Sequence, residues 1–174
     1  MSPGGGLPVP AVAFVAWSGT GKTTLVEQII ALGTVQGLKI GALKHDAHEF
    51  EIDRPGKDSY RFSAAGAAAM VLVSADKLAM VRRHDQAPEV DVLLQEYFTD
   101  MDLVLIEGWK NSALPRIEVH RPSLGHPLIC RGERHDPHLL AVAADVPVEV
   151  DVPVLSLEDP AAILEFIRER FDLS

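Results

Sequence analysis

The sequence predicts an α/β domain with a mainly parallel central sheet flanked by helices in a three-layer arrangement. Three observations carry that expectation. Strand-like runs alternate with runs of helical spacing along most of the chain, the pattern of parallel strands joined by helical crossovers. The run Leu103-Val104-Leu105-Ile106 is continuously apolar and β-rich, as in a strand buried on both faces. The apolar run from Ala11 to Ala16 passes through a glycine-containing turn into a segment with Leu25, Ile29 and Leu32 on one helical face.

The first strand is expected at Ala11 to Ala16, and the next helix from near Lys22 to Leu32 or a few residues beyond, with Gly33 and Gly37 as candidate stops. A second strand, Leu38 to Leu43, ends in Lys44-His45-Asp46. The polar stretch from Ala47 to Lys57, with Pro55-Gly56, is a loop. Asp58 or Ser59 caps a short helix through about Ala65. Strands follow at Ala69–Val73 and Leu78–Arg82, and a helix opened by Ala87-Pro88-Glu89 turns Val90, Leu93, Leu94 and Tyr97 inward. Strand candidates at Ile117–His120, Leu139–Ala143 and Val152–Leu155 precede a last helix from Pro160 to Phe171. Residues 1–8 form a glycine-rich tail, and 9–174 a single domain of ordinary size.

Composition narrows the partners. A net charge of −9 argues against broad nucleic-acid binding, which needs a basic face. The longest apolar stretch, Ala64 to Val73, is about ten residues against the ~20 of a membrane span. No basic start precedes an apolar run at the N-terminus, so no secretory signal is read and the cytoplasm is the expected location. The single cysteine, Cys130, excludes an internal disulfide; it is read as a buried core residue ahead of a reactive thiol.

Function is written in Trp17-Ser18-Gly19-Thr20-Gly21-Lys22-Thr23-Thr24. A strand, a glycine turn and Gly-Lys-Thr at a helix start make a P-loop, so the fold class is P-loop NTPase-like. Backbone N–H groups of the turn and the positive end of the helix dipole face an anion. Lys22 reaches the β/γ-phosphates and the Thr23 hydroxyl is a Mg²⁺ ligand. Ser18, Gly19, Thr20, Gly21, Lys22, Thr23 and Thr24 are the expected phosphate-binding residues. Ala16 stands where the general pattern has glycine.

Phosphoryl chemistry also needs an acid at the end of a central strand. Glu107, followed by Gly108, is that acid; Asp102 lies about 16 Å away at ~3.3 Å per residue, at the other end of the strand. The charged loop from Lys44 to Asp58 leaves the same edge, with Asp46 the first choice for a catalytic carboxylate and Asp58 the second. His45 and His48 have a spacing that also permits a transition-metal site, without a Cys-x-x-Cys or His-Glu-x-x-His pattern. His135-Asp136-Pro137-His138 reads as a turn.

These residues together resemble the MobB family, the molybdopterin-guanine dinucleotide biosynthesis protein B. The resemblance rests on Ala16 to Leu25, Lys44-His45-Asp46, Asp53-Arg54-Pro55-Gly56-Lys57-Asp58-Ser59, Ala65-Gly66-Ala67 and Leu105 to Lys110, in family order over roughly residues 10 to 160. Pro-Gly-Lys-Asp-Ser is far more specific than the P-loop, and Ala-Trp-Ser at the loop entrance occurs within the family. The resemblance implies a homodimer that binds GTP with Mg²⁺, hydrolyses it slowly, and assists a MobA-like guanylyltransferase joining GMP to molybdopterin. Gly19 to Thr24 would then cradle phosphate, Thr23 and Glu107 would serve Mg²⁺, and Asp46 or Asp58 would complete the site; molybdopterin is a further candidate ligand. Ile117 to Ile129 is the candidate dimer surface, and Arg116 and Arg121 meet phosphate, a partner's acids or solvent. The guanine-reading Asn-Lys-x-Asp is absent; Asp145, in Val142-Ala143-Ala144-Asp145, either accepts from guanine or caps a turn.

Two other functions share the P-loop. A small-molecule kinase would use Asp46 or Asp58 as base, and a GTP-dependent metal chaperone would use His45 and His48. No glutamine or arginine finger is placed to organise water, which points to turnover near the unassisted ~10⁻⁴ s⁻¹.

Overall fold

The structure, a computed structural model, describes residues 6–45 and 50–173. Asp46 and His48 lie outside the described residues. The described chain forms two compact units, one from residues 6–45 and 91–173, the other from 50–90.

The larger unit is built on six strands: β1 (Ala11–Ala16), β2 (Ile40–Lys44), β5 (Leu103–Glu107), β6 (Arg116–His120), β7 (Leu139–Ala144) and β8 (Val154–Ser156). Their order is β2-β5-β1-β6-β7-β8, and every pairing is parallel. The chain leaves β1 toward β2 on one side and returns as β6 on the other. The carboxyl end of β1 is therefore a topological switch point, where open α/β sheets hold their ligands. Central position explains composition: Ala11 to Val15 and Leu103 to Ile106 are all fully buried.

Side chains alternate across the sheet. Val12, Phe14 and Ala16 pack with Leu25, Val26 and Ile29 of α1 (Lys22–Val35) and with Ile163, Leu164 and Ile167 of α4 (Pro160–Phe171). Val15, Leu139, Val142 and Ala144 form a second cluster on the other face with Cys130, covered by Leu128, Ile129, Val148 and Val150. Burial above all, with Glu118 and Asp136 nearby, pushes the Cys130 thiol up to about 12, so it is an inert core residue. Gly37, at φ 90°, ends α1; Gly33 stays inside the helix, where a Cβ would run into the Ile40 side chain. Asp159 accepts a hydrogen bond from the Ala162 N–H (3.0 Å), and Pro160 follows it to start α4.

Three expectations are corrected. In α3 (Val90–Tyr97) Tyr97 is exposed; the inner stripe runs Val90, Leu94, Phe98 at four-residue spacing. β6 lies inside the sheet with Ile117 and Val119 buried, so this part of the expected dimer surface is interior. The strands β3 (Ala69–Val73) and β4 (Leu78–Arg82) do not join the main sheet but pair with each other, antiparallel, in the smaller unit. The reason is the connection: residues 74–77 are closed by the Ser74 hydroxyl, which donates to Asp76 and accepts from the Lys77 N–H, a hairpin too short for a parallel crossover. The smaller unit also contains α2 (Asp58–Ala64), which has no buried residue. No helix among the described residues is long and apolar enough to cross a membrane.

Candidate phosphate-binding site

Strand register sets the site. Glu107 pairs with Phe14 of β1 on one side and with Lys44 of β2 on the other, so β2 and β5 end level with Phe14. β1 stops two residues later and the chain turns through Trp17 to Gly21. Gly19 (φ 81°) and Gly21 (φ 89°) adopt left-handed backbone that a side chain would strain. Thr20 is buried, its hydroxyl donating to the Trp17 carbonyl (3.1 Å), which ties the turn to itself. Ser18 and Thr24 are exposed, and α1 begins at Lys22 with its first amides free of the helix ladder.

Lys22, Thr23 and Glu107 converge. Lys22 Nζ lies 2.8 Å from Glu107 Oε1, and the Thr23 hydroxyl donates to Glu107 Oε2 at 2.9 Å. Lys44 Nζ approaches the same carboxylate at 3.7 Å. Partial burial pushes the Glu107 carboxyl up, but the hydrogen bonds from Lys22 and Thr23 and the charges of Lys22 and Lys44 outweigh it. The net effect holds Glu107 below the ordinary glutamate range, hence ionised at neutral pH. Asp102 sits at the opposite strand end, accepting from the Lys39 N–H at 2.7 Å.

Gly108 (φ 95°) turns the chain away from β5, and a Cβ there would lie 3.0 Å from the His45 carbonyl oxygen. The His45 N–H donates to the Glu107 carbonyl (2.9 Å), and its ring lies 4.5 Å from that of Trp109. Among the described residues no group of three His, Cys, Asp or Glu is placed to hold a metal ion. Asp58 opens α2 in the smaller unit, its carboxylate 3.4 Å from Arg61 and both side chains exposed.

Arg116 does not have the role read from sequence. Arg116 is buried and donates to the carbonyls of Leu114 (3.2 Å), Lys110 (2.6 Å) and Ser112, with Asp136 at 3.2 Å. Phosphate and solvent are both out of its reach. Arg121 donates to the Thr20 carbonyl (2.8 Å) and pairs with Asp145 (2.8 Å). Trp17, not assigned a part by sequence, donates to the Pro127 carbonyl (2.8 Å) and stacks on His126 with centroids 5.0 Å apart. Only the position of Trp17 in the loop could have flagged it, since both partners are more than a hundred residues away in sequence.

A glycine turn after the switch-point strand, a lysine at the helix start and an acid at the end of the neighbouring strand define a protein of the P-loop NTPase-like class. Residues 11–145 match the family described as molybdopterin guanine dinucleotide synthesis protein B, MobB. The chain belongs to that family. It is 37% identical over 166 residues to the molybdopterin-guanine dinucleotide biosynthesis adapter protein of Escherichia coli K12, covering 92% of this chain and 93% of that protein. The protein of the same name from Haemophilus influenzae is 32% identical over 161 residues, covering 92% and 88%. Among solved structures, Bacillus subtilis MobB superposes with a TM-score of 0.73 at 27% identity, covering 92% of this chain and 97% of that one. The MobB homolog from Bacillus stearothermophilus gives 0.67 at 25% identity, covering 94% and 99%.

Proposed function

We propose that the chain is a GTP-binding adapter protein of molybdopterin-guanine dinucleotide biosynthesis, working beside a MobA-like guanylyltransferase in the cytoplasm. Membership of the MobB family places it in that pathway as an adapter. The observation that carries the nucleotide part is the convergence of Lys22 and Thr23 on Glu107 beneath the glycine turn. A triphosphate entering the turn meets backbone N–H groups, the dipole of α1, and the Lys22 ammonium once Lys22 lets go of Glu107. Mg²⁺ fits the residues present: the Thr23 hydroxyl and Glu107 carboxylate are hard oxygen donors already 2.9 Å apart, and the carboxylate is held ionised. When bound, the ion would offset phosphate charge, and Thr23 and Glu107 would hold it. Among the described residues of the glycine turn, 17–21, there is no glutamine or arginine to organise an attacking water, which supports slow hydrolysis, near the ~10⁻⁴ s⁻¹ of a P-loop GTPase without a partner.

The test is calorimetric titration with GTP and ATP, each with and without Mg²⁺. GTP should bind more tightly than ATP and more tightly with the metal. Lys22→Ala removes a charge-assisted contact of about 1.5–3 kcal/mol and should weaken GTP ten- to a hundredfold. Unchanged affinity would refute the site, and fast partner-free GTP hydrolysis would refute the adapter reading.

The adapter is also proposed to be a homodimer. What supports this is the smaller unit, whose hairpin leaves Val71, Val73, Leu78 and Met80 exposed.

A further inference from the structure

We infer that Arg121 and Asp145 form a brace that sets the phosphate loop from outside, making both of them positioning residues rather than readers of the nucleotide base. The inference rests on the P-loop binding a triphosphate. Arg121 directly follows β6 and Asp145 directly follows β7; since His120 pairs with Ala144, the two side chains emerge next to each other at the carboxyl edge of the sheet. One guanidinium then serves two acceptors: its Nε donates to the Thr20 carbonyl and a terminal nitrogen donates to Asp145 Oδ2, both at 2.8 Å. The other terminal nitrogen lies 3.8 Å from the point where a side chain on Gly21 would begin, so the guanidinium covers the loop at Thr20–Gly21.

The consequence follows from peptide geometry. The Thr20–Gly21 bond is trans, so the Thr20 C=O and the Gly21 N–H point in opposite directions. Holding the carbonyl on the Arg121 side aims the Gly21 N–H at the other side. That amide precedes the first turn of α1 and is free of its ladder, one of the donors a phosphate needs. Left alone, a guanidinium this close to a polyphosphate would turn to the anion itself. Asp145 prevents that by neutralising it and fixing the plane of its fork.

The geometry also speaks against base recognition by Asp145. Its Oδ2 is committed to Arg121, and its Oδ1 is buried without a partner among the described residues. A guanine N–H could reach neither oxygen unless the pair came apart.

The experiment compares Arg121→Lys, Asp145→Asn and the double variant by titration with Mg·GTP, Mg·ATP and inorganic tripolyphosphate. Each single change should lower affinity for all three ligands by the same factor, about tenfold, because lysine cannot hold both acceptors and asparagine cannot hold the charge. The double variant should lose scarcely more than either single one, as coupled groups do. The ratio of GTP to tripolyphosphate affinity should not move. Since partial unfolding would also weaken all three ligands equally, the titrations are made at a temperature where circular dichroism shows each variant fully folded, so that the loss is read on folded protein alone. A loss confined to GTP in Asp145→Asn, with a gain for XTP, would make Asp145 a base reader and overturn the brace. No change for any ligand, or additive losses, would overturn it too. A wild-type chain that binds neither GTP nor tripolyphosphate would remove the nucleotide reading, and the brace with it.

Discussion

Lys22 and Glu107 hold each other at 2.8 Å, a charge pair that an incoming polyphosphate has to replace. In the proposed site Glu107 would oppose phosphate while it holds Lys22, and would help it once Mg²⁺ is shared with Thr23. Glu107→Gln separates the two effects. Without metal, the variant should bind tripolyphosphate more tightly, by up to about tenfold for one released charge-assisted bond. With metal, the gain that Mg²⁺ gives wild type should disappear. Titration with and without Mg²⁺ checks both, and a variant that keeps the full Mg²⁺ effect would take Glu107 out of the metal site. The same carboxyl predicts a pH dependence. Its folded value is depressed, so its contribution to stability is complete above the unfolded glutamate value, about 4.3, and is lost as pH falls through the lower folded value. Wild type and Glu107→Gln should thus differ in thermal midpoint at pH 7 and converge in the acid range.

At the scale of elements, the loop that carries Glu107 out of β5 depends on one buried side chain. Arg116, the first residue of β6, gathers the carbonyls of Lys110, Ser112 and Leu114 and pairs with Asp136. Truncating it takes that donor from three carbonyls and the cation from Asp136, which still accepts from the His138 N–H. Arg116→Ala should cost roughly 3–5 kcal/mol. At ~2–4 °C per kcal/mol for a chain this long, the midpoint falls by about 10 °C, measurable by calorimetry. A shift within error would show that the loop repacks without it. Nothing local in the sequence distinguishes this arginine from Arg121, five residues on. The P-loop, by contrast, was readable because its strand, turn and helix are contiguous, and Glu107 because four apolar residues precede it. Strand and helix positions were readable for the same reason. The sheet that β3 and β4 join was not, since an apolar alternation fixes a strand without naming its neighbour. The brace was invisible because its members, Thr20, Arg121 and Asp145, meet only when β6 and β7 align.

The smaller unit raises the question that belongs to the whole molecule. Its hairpin pairs Val71 with Met80 and Val73 with Leu78, which puts these four side chains on one face. Val73 and Leu78 are each 67% exposed, and α2 buries none of its residues. A two-stranded hairpin is marginal by itself in water, and an apolar face of this kind marks an association surface. A second copy of the chain is the proposed cover, because an isologous contact would meet each hairpin with an identical one. Light scattering should then give twice the 18.9 kDa chain mass. Val73→Asp with Leu78→Asp would place two carboxylates in the shared face and, with their copies, four across the twofold axis. The variant should run as a monomer, and the smaller unit should become sensitive to proteases while residues of the main sheet stay protected. GTP binding should survive in that monomer, since Gly19 to Thr23 and Glu107 all belong to the larger unit. A wild-type chain that runs as a monomer would dismiss the dimer, and a double variant that stays dimeric would move its surface away from the hairpin.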